Sequence, residues 1–309
     1  MEELRESESA VVHEMKLVLA YDGSEHAQAV IDLACDLPLK GSSTTLMAVL
    51  RTQHIQGHER MQAELDRIQT RLEEKGMLVT SALKVGNPAA TLNAYSEEIQ
   101  ADLILMGAKG LRATLGILLG GVAQQVVEYS RCPVMVVRAP YRGLKDILVA
   151  IDGSIYSQKA MEYIAPLCTS ETRRRCSWLP EAIDLHLIHV LPPPIPPDLP
   201  ARAWAVGPEV IYPAPTPPID TDRIEKEEEN QGKNILELAT SLFHEAGLSS
   251  KRVMPRGDAA TEILAYAKEN QVDLIVCGSR GLSEVVSWLL GSVSRKLVHY
   301  SGCSVLIVK

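Results

Sequence analysis

Short, almost uninterrupted apolar runs alternate along this chain with stretches in which apolar residues recur every three or four positions. Lys16–Tyr21 is such a run, and Asp22-Gly-Ser24 closes it. From Glu25 to about Asp36, Ala27, Val30, Ile31 and Ala34 share one helical face. The same reasoning predicts strands at Thr44–Leu50, Leu78–Leu83, Leu103–Met106 and Val134–Arg138. It predicts helices over His58–Lys75, stopped by Gly76, after Gly86-Asn-Pro88, and over Gly120–Ser130. Regular alternation of strand and helix predicts a doubly wound α/β fold, a parallel sheet with helices on both faces.

The pattern then starts again. Lys16-Leu-Val-Leu-Ala-Tyr-Asp-Gly-Ser24 returns as Asp146-Ile-Leu-Val-Ala-Ile-Asp-Gly-Ser154, and Ala101-Asp-Leu-Ile-Leu-Met-Gly107 returns as Val272-Asp-Leu-Ile-Val-Cys-Gly278. Two segments in the same order in both halves predict a duplicated domain. We expect a tail over 1–14, one domain over 15–140, a short linker, and a second domain over 145–309. Second-half strands are expected near 146–151, 184–190, 250–254, 273–277 and 304–308.

The offset between the halves grows along the chain and so locates two insertions. Asp22 matches Asp152, Val49 matches Val190, and Gly86 matches Gly257. One insertion falls around Cys168–Ala182 and carries Arg173-Arg-Arg175. The other is the proline-rich stretch Pro192–Pro218, which is neither helix nor central strand. It leaves the carboxyl end of a strand, the edge where open α/β sheets bind ligands. It therefore reads either as a lid over the second half or as a surface excursion, with Trp204, Ile211 and Tyr212 available for a dimer contact.

Composition narrows the classes of function. Phe243 is the only Phe, so the core is aliphatic, as buried parallel strands require. A net charge of −8 argues against a nucleic-acid surface. No apolar run reaches membrane-spanning length, and the acidic start of the chain has no secretory core, so a cytoplasmic protein with no membrane partner is expected. Cys35, Cys132, Cys168, Cys176, Cys277 and Cys303 form no CxxC pair and read as reduced. His186 and His189, three apart in a strand pattern, point to opposite faces, which disfavours a metal site.

The candidate chemistry lies after the fourth strand of each half. Gly107, Gly110 and Gly120, followed by Gly121, repeat as Gly278, Gly281 and Gly291, followed by Ser292. Glycines let backbone amides approach an anion, and a helix start adds free amides and a favourable dipole. Ser292 adds a hydroxyl that could also cap the helix. Lys109 and Arg280 add positive charge, and Arg295 and Lys296 stand where the first half has Gln124 and Gln125; Arg112 partly offsets this. Asp22 and Asp152 would face these loops if the sheet order switches between the first and fourth strands, or would cap the following helices.

These motifs resemble those of the universal stress proteins, here as two such domains in tandem. The resemblance covers nearly all of the chain except the tail and the insertions. It implies two five-stranded parallel sheets of order 3-2-1-4-5, the adenine nucleotide alpha hydrolase-like fold, and ATP, with or without Mg, held by Gly-x2-Gly-x9-Gly-(Ser/Thr). It further implies that Asp152 and Val190, and by repetition Asp22 and Val49, border the adenine and ribose. Gly278 would lie near the ribose, with Gly281, Gly291 and Ser292 on the phosphates. It implies an internal pseudo-dimer through the last strands, with a homodimer as a further assembly. Gly121 departs from the motif, so the second half is expected to be the better site.

The leading expectation is an ATP-binding regulatory protein of the stress response. The alternatives are a scaffold with degenerate sites for another small ligand or a protein, and, more remotely, a slow ATP hydrolase, although no P-loop and no catalytic group is evident. A flavodoxin would place its phosphate loop after the first strand, where only Asp-Gly-Ser stands. The acid pair and Lys of a response regulator cannot be assembled.

Overall fold

The computed structural model describes residues 15–51, 57–111, 119–165, 182–194, 220–282 and 290–309. The tail, Arg112, Cys168, Cys176, the Arg173–Arg175 run and the proline-rich stretch beyond Pro194 lie outside the described residues.

The first half runs β1 (Lys16–Ala20), α1 (Glu25–Asp36), β2 (Ser43–Leu50), α2 (His58–Glu73), β3 (Leu78–Val85), α3 (Pro88–Glu98), β4 (Leu103–Gly107), α4 (Gly121–Tyr129) and β5 (Val134–Val137). The second half repeats it as β6 (Asp146–Ala150), α5 (Ile155–Ile164), β7 (Asp184–Ile188), α6 (Thr221–Glu245), β8 (Ser250–Val253), α7 (Ala259–Glu269), β9 (Leu274–Gly278), α8 (Ser292–Tyr300) and β10 (Ser304–Val308).

Local chemistry accounts for the boundaries. Asn87 caps α3 by accepting from the Ala90 amide at 3.2 Å, with Pro88 in the first helical turn. Gly76, at φ +84°, takes the left-handed conformation that a helix exit favours. It lies beyond the end of α2 at Glu73, so the helix stops short of the expected Lys75. β3 runs past the expected Leu83, because Lys84 and Val85 pair with Val49 and Leu50 of β2.

The described strands form one sheet of order β3-β2-β1-β4-β5-β10-β9-β6-β7-β8. Each half is parallel in the expected order 3-2-1-4-5, and the halves join through antiparallel pairing of β5 and β10. Val134, Met135 and Val136 meet Ile307, Leu306 and Val305, and all six side chains are buried. The pseudo-dimer implied by the resemblance is therefore a continuous sheet inside one chain.

Strand alternation sorts the core into two layers. Leu17 and Leu19 of β1 join one layer and Val18 the other. The first layer takes α1, α2, α5 and α6, with Phe243 fully buried among them. The second takes α3, α4, α7 and α8. His186 and His189 follow the same rule. His186 Nδ1 pairs with the Tyr266 hydroxyl of α7 at 2.7 Å, while the ring of His189 lies against Gly232 of α6, on the opposite face.

Candidate functional site

The sheet order reverses between β1 and β4, and again between β6 and β9, which opens a crevice at the carboxyl edge of each half. β1 leads into Asp22-Gly23-Ser24, and β6 leads into Asp152-Gly153-Ser154. Both middle glycines sit at φ +80°, a conformation costly for any residue with a Cβ. The sequence left each Asp open as a helix cap. In the structure the caps are the serines: Ser24 Oγ accepts from the Ala27 amide at 3.1 Å, and Ser154 Oγ from the Ser157 amide at 3.2 Å. The aspartates instead accept from the serine amides, Asp22 Oδ1 at 3.0 Å and Asp152 Oδ1 at 2.9 Å. This leaves their second oxygens directed at the glycine loops.

Those loops come close. A Cβ on Gly110 would lie 2.5 Å from Asp22 Oδ2, and one on Gly281 would lie 2.6 Å from Asp152 Oδ2. The Leu111 amide donates to Asp22 Oδ2 at 3.3 Å. Each capping serine also donates to the loop, Ser24 Oγ to the Lys109 carbonyl at 3.1 Å and Ser154 Oγ to the Arg280 carbonyl at 3.5 Å. The structure thus brings together Asp22 with Gly110 and Asp152 with Gly281. Sequence reasoning missed the serines as ties between helix and loop; their place just before each apolar helical face was the available signal.

The remaining glycines divide by role. A Cβ on Gly107 would meet the His26 backbone at 2.8 Å, and one on Gly278 the Tyr156 backbone at 2.5 Å. These two glycines therefore have a packing reason of their own, the seating of α1 and α5 on the sheet. The Gly120 and Gly291 amides donate to the Ala108 and Ser279 carbonyls at 2.8 Å each, so they are not free for an anion. The helical ladders begin one turn later, with Gln124 donating to Gly120 and Arg295 to Gly291. The three amides before each of these have no intrahelical acceptor. Gly291 holds the cap position and no side chain caps α8, so Ser292 is not the cap the sequence suggested. It is the first helical residue, and exposed. Gly121 has no atom within 4 Å of where its Cβ would be.

The cations are more engaged than their sequence positions suggest. Arg280 Nη1 donates to the Tyr156 hydroxyl at 3.1 Å, with its guanidinium 5.4 Å from that ring's centre. Lys296 Nζ lies 3.3 Å from Asp258, the residue that caps α7. Arg295 Nη2 reaches the Leu290 carbonyl at 3.5 Å and lies 3.9 Å from Glu128 of α4. Val49 and Val190 pack, half-buried, against the second core layer at the carboxyl ends of β2 and β7.

In the first half, Tyr21 donates to Glu64 Oε1 at 3.1 Å. Burial, then the Glu64 charge, push its hydroxyl up to about 12. The Ala139 amide donates to His26 Nδ1 at 2.9 Å, and burial lowers the His26 pKa, assisted by Arg138 and Lys109. Among the described residues no group of three His, Cys, Asp or Glu side chains could hold a metal ion, and no helix is long and apolar enough to cross a membrane. The described cysteines Cys35, Cys132, Cys277 and Cys303 are free thiols whose pKa values burial raises, Cys277 to about 12.

Comparison with known proteins gives the same duplicated picture. The model of the universal stress protein family matches residues 15–138 and again 143–309. Universal stress protein YxiE of Bacillus subtilis is 34% identical over 167 residues, covering 53% of this chain and 97% of that protein. A universal stress protein of Mycolicibacterium smegmatis is 27% identical over 241 residues, 77% of this chain and 71% of its own length. Among solved structures, a universal stress protein from Archaeoglobus fulgidus superposes with a TM-score of 0.66 at 21% identity, covering 95% of this chain and 98% of its own, a likeness of fold.

Proposed function

Because this chain belongs to the universal stress protein family, we propose that it binds an adenine nucleotide, ATP, in the carboxyl-edge crevices, and more tightly in the second half. The observation that carries this reading is the fit of Gly281 against Asp152: a Cβ there would lie 2.6 Å from Asp152 Oδ2 and push the carboxylate from its place. It keeps loop backbone and carboxylate together beside the uncapped start of α8. A carboxylate at a ribose hydroxyl and backbone amides at phosphates are the two contacts that a nucleotide needs.

On this reading Val190 and Asp152 take the base and sugar. Gly281, the first amides of α8 and the Ser292 hydroxyl take the phosphates. Asp22, Val49, Gly110 and the first amides of α4, starting at Gly121, form the weaker counterpart. The preference for the second half rests on Ser292 against Gly121, since Lys296 and Arg295 already have protein partners. The units that act are residues 15–140 and 145–309, and nucleotide occupancy serves regulation by shifting which conformation is populated.

Titration calorimetry of the full chain with ATP, together with mass spectrometry of ligand carried through purification, tests the proposal. One tight site that is lost in Gly281→Val supports it. A chain that takes up no ATP at millimolar concentration overturns it.

A further inference from the structure

The two crevices share a backbone but not a charge. At the carboxyl edge of the first half, Glu64 of α2 turns inward, and its Oε2 lies 3.9 Å from the Cβ position of Gly23. The Leu111 side chain is 3.8 Å from the same point. The Tyr21 hydroxyl holds the carboxylate there at 3.1 Å, and Tyr21 is only 5% exposed. In the second half the matching neighbour of Gly153 is Ile235 of α6, at 3.0 Å, and the matching residue for Tyr21 is the buried Ile151. A held carboxylate beside Asp22 is thus replaced by two aliphatic side chains beside Asp152.

We propose that Glu64 is a specificity-determining residue: its charge turns the first crevice against polyphosphates, leaving that crevice for a nucleoside-type ligand with little or no negative charge. The inference rests on the nucleotide reading above. The first crevice combines Asp22 and Glu64 with Lys109, and the second combines Asp152 with Arg280. One extra negative charge within about 10 Å of three or four phosphate charges weakens binding by roughly threefold to thirtyfold at moderate salt. An uncharged nucleoside does not feel it. Tyr21 makes the effect persistent, because the buried hydroxyl would lose its acceptor if Glu64 swung out to solvent.

The test uses the full chain and two probes, ATP and adenosine, in titration calorimetry. Glu64→Gln keeps the size and the acceptor for Tyr21 and removes the charge. It is expected to tighten the weaker ATP site by threefold or more, with the gain shrinking as salt rises, and to leave adenosine affinity within twofold. Ile235→Glu is expected to weaken the tighter ATP site and spare adenosine. Unchanged ATP affinity in both variants, or equal shifts for ATP and adenosine, overturns the role of Glu64 while leaving nucleotide binding intact. Absence of ATP binding in the native chain and in both variants overturns the nucleotide reading itself, and this inference with it.

Discussion

Arg138 Nη2 donates to the Val298 carbonyl at 2.7 Å, so the residue that follows β5 in one half caps the last turn of α8 in the other. It also reaches the His299 carbonyl at 3.3 Å. Lys309, which follows β10, returns the contact by donating from Nζ to the Val127 carbonyl near the end of α4. Burial holds the Lys309 pKa down to about 8. The two helices α4 and α8, whose starts border the glycine loops, are therefore each closed at the other end by a cation from the opposite half, where the helix dipole favours positive charge.

Replacing that cation should weaken the seam. Arg138→Met keeps much of the side-chain volume and removes hydrogen bonds from a charged donor to two carbonyls. The expected loss is about 1–3 kcal/mol of unfolding free energy. Arg138→Lys should recover part of it, since a point charge cannot reproduce the planar fork. The urea midpoint, with its slope unchanged, is the measurement; a midpoint equal to that of the native chain would show the cap to be energetically idle.

The glycines that look equivalent in the repeat should separate on substitution. Gly278→Ala drives a Cβ to 2.5 Å from the Tyr156 backbone. Neither partner can turn away as a flexible side chain would, so a loss of about 1–3 kcal/mol or more is expected. Gly281→Ala meets a carboxylate that can rotate, so stability should change less, while ATP binding falls as Asp152 leaves its place. Gly121→Ser meets nothing within 4 Å, should stay within about 0.5 kcal/mol of native stability, and should strengthen the first crevice by up to about tenfold. Thermal melts beside titrations of the three variants separate packing from binding.

These differences mark where the sequence stops being informative. Buried strands such as Leu17–Leu19 and Leu274–Val276 were legible because an apolar run between turn signals has few other solutions, and the repeat supplied each element twice. The order of the sheet followed from the family's topology. The caps stayed open in the sequence because Asp-Gly-Ser offers two acceptors two residues apart; the left-handed Gly23 and Gly153 then place the serine, not the aspartate, at the helix start. Arg138 with Val298 and Glu64 with Tyr21 were not legible. Their partners lie 160 and 43 residues away, and a charged residue on an amphipathic helix looks the same whether it faces water or a crevice.

Acid should destabilise the fold through its histidines. Burial lowers the pKa values of His26, His186 and His299 below the usual 6.5, and nearby Arg138, Lys251 and Arg295 add to the effect. A group with a lowered folded pKa contributes stability that is fully present above its unfolded value and is lost as pH falls through the folded value. Lys309, with its folded pKa near 8, accounts for any slope above pH 7. The histidines should therefore add no slope between pH 8 and about 7 and should cost stability below about 6.5. His26→Gln should flatten that slope, because the Ala139 amide loses its acceptor when His26 Nδ1 is protonated. Melts between pH 5 and 8 read this directly; a native slope that persists unchanged in the variant would remove His26 from the account.

Phe243 tests whether the continuous sheet behaves as one body. It is fully buried in α6, in the layer with Leu236 and Ala239, far in the topology from the first half. Phe243→Ala should cost about 3–5 kcal/mol, as removing a buried aromatic ring leaves a cavity that neighbours fill only in part. Phe243→Leu should cost clearly less. Two units on a flexible tether would melt separately, and only one transition would move. Here β5 and β10 share buried pairs, Arg138 and Lys309 cap each other's helices, and the Tyr163 hydroxyl of α5 donates to the Asp102 carbonyl beside β4 at 3.1 Å. Loss of the second half therefore strips the first of its sheet edge and its cap. Scanning calorimetry of Phe243→Ala should show a single transition moved to lower temperature, with calorimetric and van't Hoff enthalpies in agreement; a split into two peaks would mean that the seam orients the halves without coupling their stability.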